Sequence, residues 1–268
     1  MVSILLIYAF LLLLAYIFQA RLIFYPGKLP DDYSFNLPED AEEVRLITDD
    51  GKSITGLFYP GSLPEVILYF HGNAGDLSGW QYISEDFTRH GFSFLIIDYR
   101  GYGKSTGTLS ESGLCADAEA AYRYLLDSKG FSARQILLYG RSIGTGVAVE
   151  LAANNMTGGL ILEAPFTSLK KLAAQKMPVF LPFLLLRYSF NNMEKINRVN
   201  VPLLILHGDH DNLIPPSHGR ALLDRFGGKK KLVIIENGRH NDLNHFEKYH
   251  SVLRNIVPEF FELAGNRK

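Results

Sequence analysis

Gly140-Arg141-Ser142-Ile143-Gly144 constrains this chain more than any other stretch. It fits G-x-S-x-G, in which a serine sits on a sharp, strained turn from strand to helix and its oxygen stands clear of the strand end. The flanks suit that geometry. Residues 136–139 are a short apolar run that reads as a buried strand, and residues 143–154 read as a helix. Glycines at 140 and 144 remove a Cβ where the backbone folds back on itself. Such a turn belongs to a sheet with helices packed on it. A serine so placed acts only if a base takes its proton, so the rest of the chain must supply one.

It does so in order. Residues 203–207 form another apolar run, followed by Gly208-Asp209-His210-Asp211. Residues 232–235 form a third, followed by Glu236-Asn237-Gly238-Arg239-His240. The order Ser, Asp, His, each after its own strand, differs from the chymotrypsin and subtilisin orders. In this arrangement His240 accepts the Ser142 proton, and Asp211 fixes the imidazole tautomer and stabilises the imidazolium. Asp209 competes for the acid role. Asp211 is preferred, because Asp209 follows the strand so closely that its side chain is expected to serve the turn. Acyl transfer also needs N–H donors aimed at the developing oxyanion. Ile143, next to the nucleophile, is one candidate. Asn73, in the His71-Gly72-Asn73-Ala74-Gly75 loop after the 66–70 strand, is the other.

These motifs, with Asp98-Tyr99-Arg100-Gly101-Tyr102-Gly103-Lys104-Ser105, Glu163-Ala164-Pro165-Phe166 and His240-Asn241-Asp242, resemble the α/β-hydrolase superfamily. Within it they are similar to the BEM46-like group of ABHD13- and ABHD17-type hydrolases and bacterial relatives. The resemblance runs from about Arg21 to the C-terminus. It implies a mostly parallel eight-stranded sheet with helices on both faces and a small helical cap. Two positions depart from the group's common pattern: Asp76 stands where asparagine is frequent, and Arg239 where a small residue usually precedes the histidine.

Strands are expected at 44–48, 54–59, 66–70, 93–98, 136–139, 160–163, 203–207 and 232–235, with helices between them, an α/β alternation. Asp49-Asp50-Gly51-Lys52 marks a hairpin between the first two. Thr108-Leu109-Ser110-Glu111 fits a capping box, and Leu114, Ala118, Ala121 and Leu125 make the apolar stripe of the helix after it. The glycines of the 98–105 loop do not fit a nucleotide-binding loop, so a structural role is expected. Residues 167–200 are too long for a simple connection and read as the cap. Their run from Met177 to Leu186 is apolar and broken by prolines. It either packs on the core domain or lines an acyl pocket, with Phe180, Leu181, Phe183 and Leu184 as candidate substrate-binding residues.

The N-terminus departs from this globular pattern. Residues 2–18 are apolar except for Ser3, long enough at roughly 26 Å to cross a thin bilayer. The absence of a preceding basic residue and the poor Phe18-Gln19-Ala20 cleavage site argue for an uncleaved anchor rather than a signal peptide. Arg21 and Lys28 follow the span, which favours a cytoplasmic catalytic domain. The expected organisation is an anchor at 1–20, a proline-rich juxtamembrane linker at 21–40 and a hydrolase domain at 41–268. Every chemical motif lies after Leu22, so the anchor is expected to be dispensable for folding.

A net charge of −1 and a pI near 6.7 give no sign of nucleic-acid binding. Cys115 is the only cysteine, so no internal disulfide can form. His240, Asp242 and His245 lie close together, but the triad reading accounts for His240 and no metal is expected. The expected activity is hydrolysis of small-molecule or lipid esters through an acyl-serine intermediate, without a cofactor. The alternatives are a protein-acyl thioesterase, a peptidase, and a non-catalytic scaffold with the same fold.

Overall fold

The computed structural model describes residues 2–262. Eight strands form one sheet: β1 (Glu42–Ile47), β2 (Ser53–Tyr59), β3 (Val66–Phe70), β4 (Ser93–Ile97), β5 (Ile136–Arg141), β6 (Gly159–Glu163), β7 (Leu203–Gly208) and β8 (Lys230–Ile235). Their order across the sheet is β1-β2-β4-β3-β5-β6-β7-β8. β1 and β2 form the expected antiparallel hairpin, and β3 to β8 run parallel. Gly51 makes the hairpin turn with φ +71°, a conformation glycine adopts without steric cost.

The strands explain the layers. β3 to β7 are buried along their whole length, as parallel strands covered on both faces must be. Alternate side chains feed two cores. Leu68, Phe70, Leu138 and Leu162 pack on one face, and Ile67, Tyr69, Tyr139 and Ile161 on the other. β1, at the sheet edge, alternates instead, burying Val44 and Leu46 and exposing Arg45 and Ile47.

The principal helices are α1 (Val2–Ile23), α2 (Glu111–Asp127), α3 (Gly144–Asn154), α4 (Leu169–Lys176) and α5 (Ser217–Arg225). The predicted stripe of α2 is buried throughout. Its cap differs from the expectation. Ser110, not Thr108, is the N-cap and accepts from the Gly113 N–H at 3.0 Å. Glu111 turns outward and accepts from the N–H groups of Ser189 and Phe190, at 2.5 and 3.0 Å. The carboxylate therefore pins the chain where it returns from the cap.

The N-terminal boundary also differs. α1 continues to Ile23, and the segment after it is not a loose linker. Phe24 is buried and meets Tyr188 edge-on at 5.1 Å. Tyr25 and Pro26 pair in parallel with Ala74 and Gly75, and Lys28 bridges to Gly103. The segment is woven onto the loop that carries Asn73. Local composition could not disclose this, because the pairing is made across about fifty residues of intervening chain.

The 98–105 loop has the expected structural role. Its Arg100 guanidinium meets Asp117 of α2 at 2.9 Å and Asp50 of the hairpin turn at 3.0 Å. Arg100 and Asp117 are both buried. Breaking a buried pair by removing one partner costs about 3–5 kcal/mol, and without Asp117 the buried Arg100 keeps only the half-exposed Asp50. We therefore expect Asp117→Ala to lower unfolding stability in urea by about 3 kcal/mol, whereas Glu247→Ala, which breaks the exposed pair with Arg254, changes it by well under about 1 kcal/mol. Equal effects would remove this loop from the list of structural determinants.

Candidate active site

Ser142 sits between β5 and α3 with φ +53°, a left-handed conformation that is uncommon for a residue with a Cβ. The glycines around it explain why the turn closes. A Cβ on Gly144 would lie 2.1 Å from the Phe70 carbonyl oxygen, and one on Gly140 would lie 2.5 Å from the Gly144 carbonyl oxygen. The turn is tied at both ends. The Ser142 N–H donates to the Glu163 carbonyl at 2.9 Å, and the Ser142 carbonyl accepts from the Thr145 N–H at 3.0 Å and its hydroxyl at 2.6 Å.

The loops after β7 and β8 bring the other two residues to it. Asp211 Oδ1 accepts from the N–H groups of Leu213 and Ile214, at 2.9 and 2.8 Å. Its Oδ2 lies 2.7 Å from His240 Nδ1, and His240 Nε2 lies 2.9 Å from Ser142 Oγ. The last two contacts span distant parts of the chain. Burial pushes the Asp211 pKa up, but hydrogen bonds from His207, His240 and the Ile214 N–H outweigh it and hold the carboxyl below the usual carboxylate range. Asp211 is thus an acceptor, His240 Nδ1–H donates to it, and Nε2 is left to accept the Ser142 hydroxyl proton. Asp209 is exposed, and its N–H donates to the Ile235 carbonyl at 3.2 Å. It takes no part in the line.

Asn73 and Ile143 border the same cavity as Ser142. Asn73 is held from three directions. Its carbonyl accepts from the Tyr25 N–H and the Tyr102 hydroxyl, each at 2.8 Å, and its side-chain amide donates to the Ile23 carbonyl at 2.8 Å. These bonds fix the Asn73 backbone at the edge of the cavity. Asp76, the departure noted in the sequence, caps the helical turn Leu77–Trp80 by accepting from the Ser78 N–H at 2.9 Å. Arg239 is exposed, with its N–H donating to Asp242 at 2.6 Å.

The cavity has a volume of about 400 Å³. Phe180 is the one of the four expected substrate-binding residues that lines it. Leu181, Phe183 and Leu184 project outward and are 41, 62 and 80 % exposed. Prolines at 178 and 182 break the run into two short turns, Pro178–Phe180 and Pro182–Leu185, with Leu181 left-handed between them. The cap wall is made instead by Leu172, Met177, Leu185 and Leu186. The cap is also shorter than the expected 167–200, since Tyr188, Phe190 and Asn192 are already buried in the core domain.

Comparison with known proteins agrees with this architecture. A family model described as "Serine aminopeptidase, S33" matches residues 62–190 and 185–247. Protein bem46 of Schizosaccharomyces pombe is 32 % identical over 265 residues, covering 91 % of this chain and 87 % of that protein. The chain belongs to the BEM46-like group of α/β-hydrolases. The human α/β hydrolase domain-containing protein 17B is also similar to this BEM46-like hydrolase, at 35 % identity over 85 % of the chain and 78 % of that protein. Among solved structures, an esterase of Pyrococcus furiosus shares the fold with a TM-score of 0.72 at 20 % identity, covering 90 % of this hydrolase and 97 % of the esterase.

The geometry ranks the two aspartates of this hydrolase. Exchanging the acid for its amide costs roughly 10⁴-fold in the serine-protease template. We expect Asp211→Asn to slow labelling of Ser142 by a fluorophosphonate at least about a hundredfold and Asp209→Asn to leave it near wild type. A slower rate in Asp209→Asn than in Asp211→Asn would reverse the assignment.

Proposed function

We propose that this protein is a membrane-anchored serine esterase that cleaves carboxylic esters of acyl chains through an acyl-serine intermediate. The observation that carries the reading is the hydrogen-bonded line from Asp211 through His240 to Ser142, ending beside an apolar cavity. His240 takes the Ser142 proton as Oγ attacks the ester carbonyl. Asp211 holds the imidazole and stabilises its cation. The Asn73 and Ile143 N–H groups receive the oxyanion. The alkoxide leaves with the proton carried by His240, and water, activated by the same histidine, then releases the acid. An acyl thioester follows the same route with a thiolate as leaving group.

α1, 22 residues long, would span about 33 Å, enough for the hydrocarbon core of a bilayer. Arg21 in its last turn and Lys28 shortly beyond it favour the cytoplasmic side for the catalytic domain. Proteolysis of sealed, oriented membrane vesicles checks this: the domain should be digested in inside-out vesicles and protected in right-side-out ones, and the opposite pattern reverses the orientation.

Ser142→Ala tests the chemistry. The variant should lose hydrolysis of a short-chain aryl ester and fluorophosphonate labelling while melting like wild type, because the serine oxygen alone forms the acyl bond. Wild-type turnover in this variant would leave Ser142 without its role, whereas a wild-type protein that neither hydrolyses the ester nor takes the label would favour the scaffold reading.

A further inference from the structure

We infer that α1 is a wall of the acyl-binding channel as well as an anchor, and that residues on it set the acyl length accepted at Ser142. This rests on the esterase reading above and names the element that selects its substrate. The cavity at Ser142 is bordered by Ala15, Tyr16, Gln19, Leu22 and Ile23 of α1. These positions recur at steps of three and four, so they share one face of the helix. The cap closes the other side with Leu172, Met177, Phe180 and Leu185. The Asn73 amide ties the end of α1 to the loop beside Ser142 through the Ile23 carbonyl. Ala15 lies eight residues further back, about 12 Å along the axis. The channel therefore extends from the nucleophile along the helix.

Its chemistry favours an aliphatic chain. Gln19 is the polar residue in this face of α1, and it is buried. Its Nε2 donates to the Tyr16 carbonyl at 2.8 Å and the Leu185 carbonyl at 3.3 Å, and its Oε1 accepts from the Arg187 N–H at 2.7 Å. Its polar atoms are spent on closing the seam between α1 and the cap. Lys176, also at the cavity, turns its ammonium to the Asn212 carbonyl. A peptide in this channel would bury amide groups without partners, at roughly 1–3 kcal/mol each. An acyl chain would not.

The seam also locates the mouth. The Tyr8 hydroxyl donates to the Val179 carbonyl at 2.6 Å, so the cap tip reaches the N-terminal half of α1. Val179, Phe183 and Leu184 on that tip are exposed, as are Leu11 and Phe18 on α1. The two apolar surfaces share one environment, and an acyl chain passes between them from the lipid layer to Ser142.

The test is kcat/KM for aryl esters of increasing acyl length, in detergent micelles, on the full chain. Ala15→Trp fills the distal end of the channel. It should cut kcat/KM for long-chain esters about tenfold or more, the scale of a misfit in an apolar pocket, and leave the acetyl ester unchanged. Tyr16→Ala opens the wall and should shift the profile toward longer chains. Leu13→Trp, on the outer face, should match wild type. A wild-type chain-length profile in both Ala15→Trp and Tyr16→Ala, with the acetyl rate intact, overturns the assignment of α1 and leaves the esterase reading standing. A wild-type protein that cleaves none of the series overturns the esterase reading itself.

Discussion

A backbone conformation that serine seldom adopts governs the rest of this molecule. Holding Ser142 at φ +53° costs about 1–3 kcal/mol and persists only where the surroundings over-determine it. Here they do. α3 starts so close to the end of β3 that Gly144 touches the Phe70 carbonyl, and the Glu163 carbonyl at the end of β6 takes the Ser142 N–H. Below the turn, the Glu163 carboxylate meets Arg141 at 3.1 Å and accepts from the Tyr139 hydroxyl at 2.6 Å. Arg141 also lies over the Trp80 ring. Three strand ends and one helix start are thus locked around a single residue.

The same economy holds the loop beside it. Tyr99 and Tyr102 of the 98–105 loop donate to the carbonyls of His71 and Asn73, at 2.9 and 2.8 Å. Arg100 then fastens that loop to α2 and to the hairpin. The glycine-rich 98–105 segment is a bracket, as its sequence suggested. It ties the loop that carries Asn73 to the sheet, to α2 and to the hairpin.

Much of this was legible in the residues. The eight strands could be read because their runs are continuously apolar or alternate, and because Gly, Asp and Asn punctuate them. Ser142, Asp211 and His240 could be read because each follows a strand, in an order that few other arrangements share. The inward face of the cap could not be read. Met177 to Leu186 is apolar throughout, so no period marks the side that faces Ser142, and the prolines set that side instead. The packing of residues 24–28 was hidden for another reason, since it consists of backbone pairs with residues far along the chain. α1 concealed its packing against the cap by its uniformity. Gln19 was the available signal, a polar side chain near the end of an apolar helix, which costs free energy unless something satisfies it.

That glutamine bears on how interchangeable the N-terminal helix is. A helix that only anchors has no preferred rotation about its axis, and any apolar segment of similar length would replace it. Gln19 reaches the Leu185 carbonyl and the Arg187 N–H from a single angle, while Phe24 is fixed in the core a turn beyond. Each residue added between them would turn the helix by about 100° and lift it about 1.5 Å, carrying Ala15 and Tyr16 away from the cavity. The phase of the helix is therefore fixed with the fold, and a borrowed apolar segment would not restore the contacts that Gln19 makes with the cap.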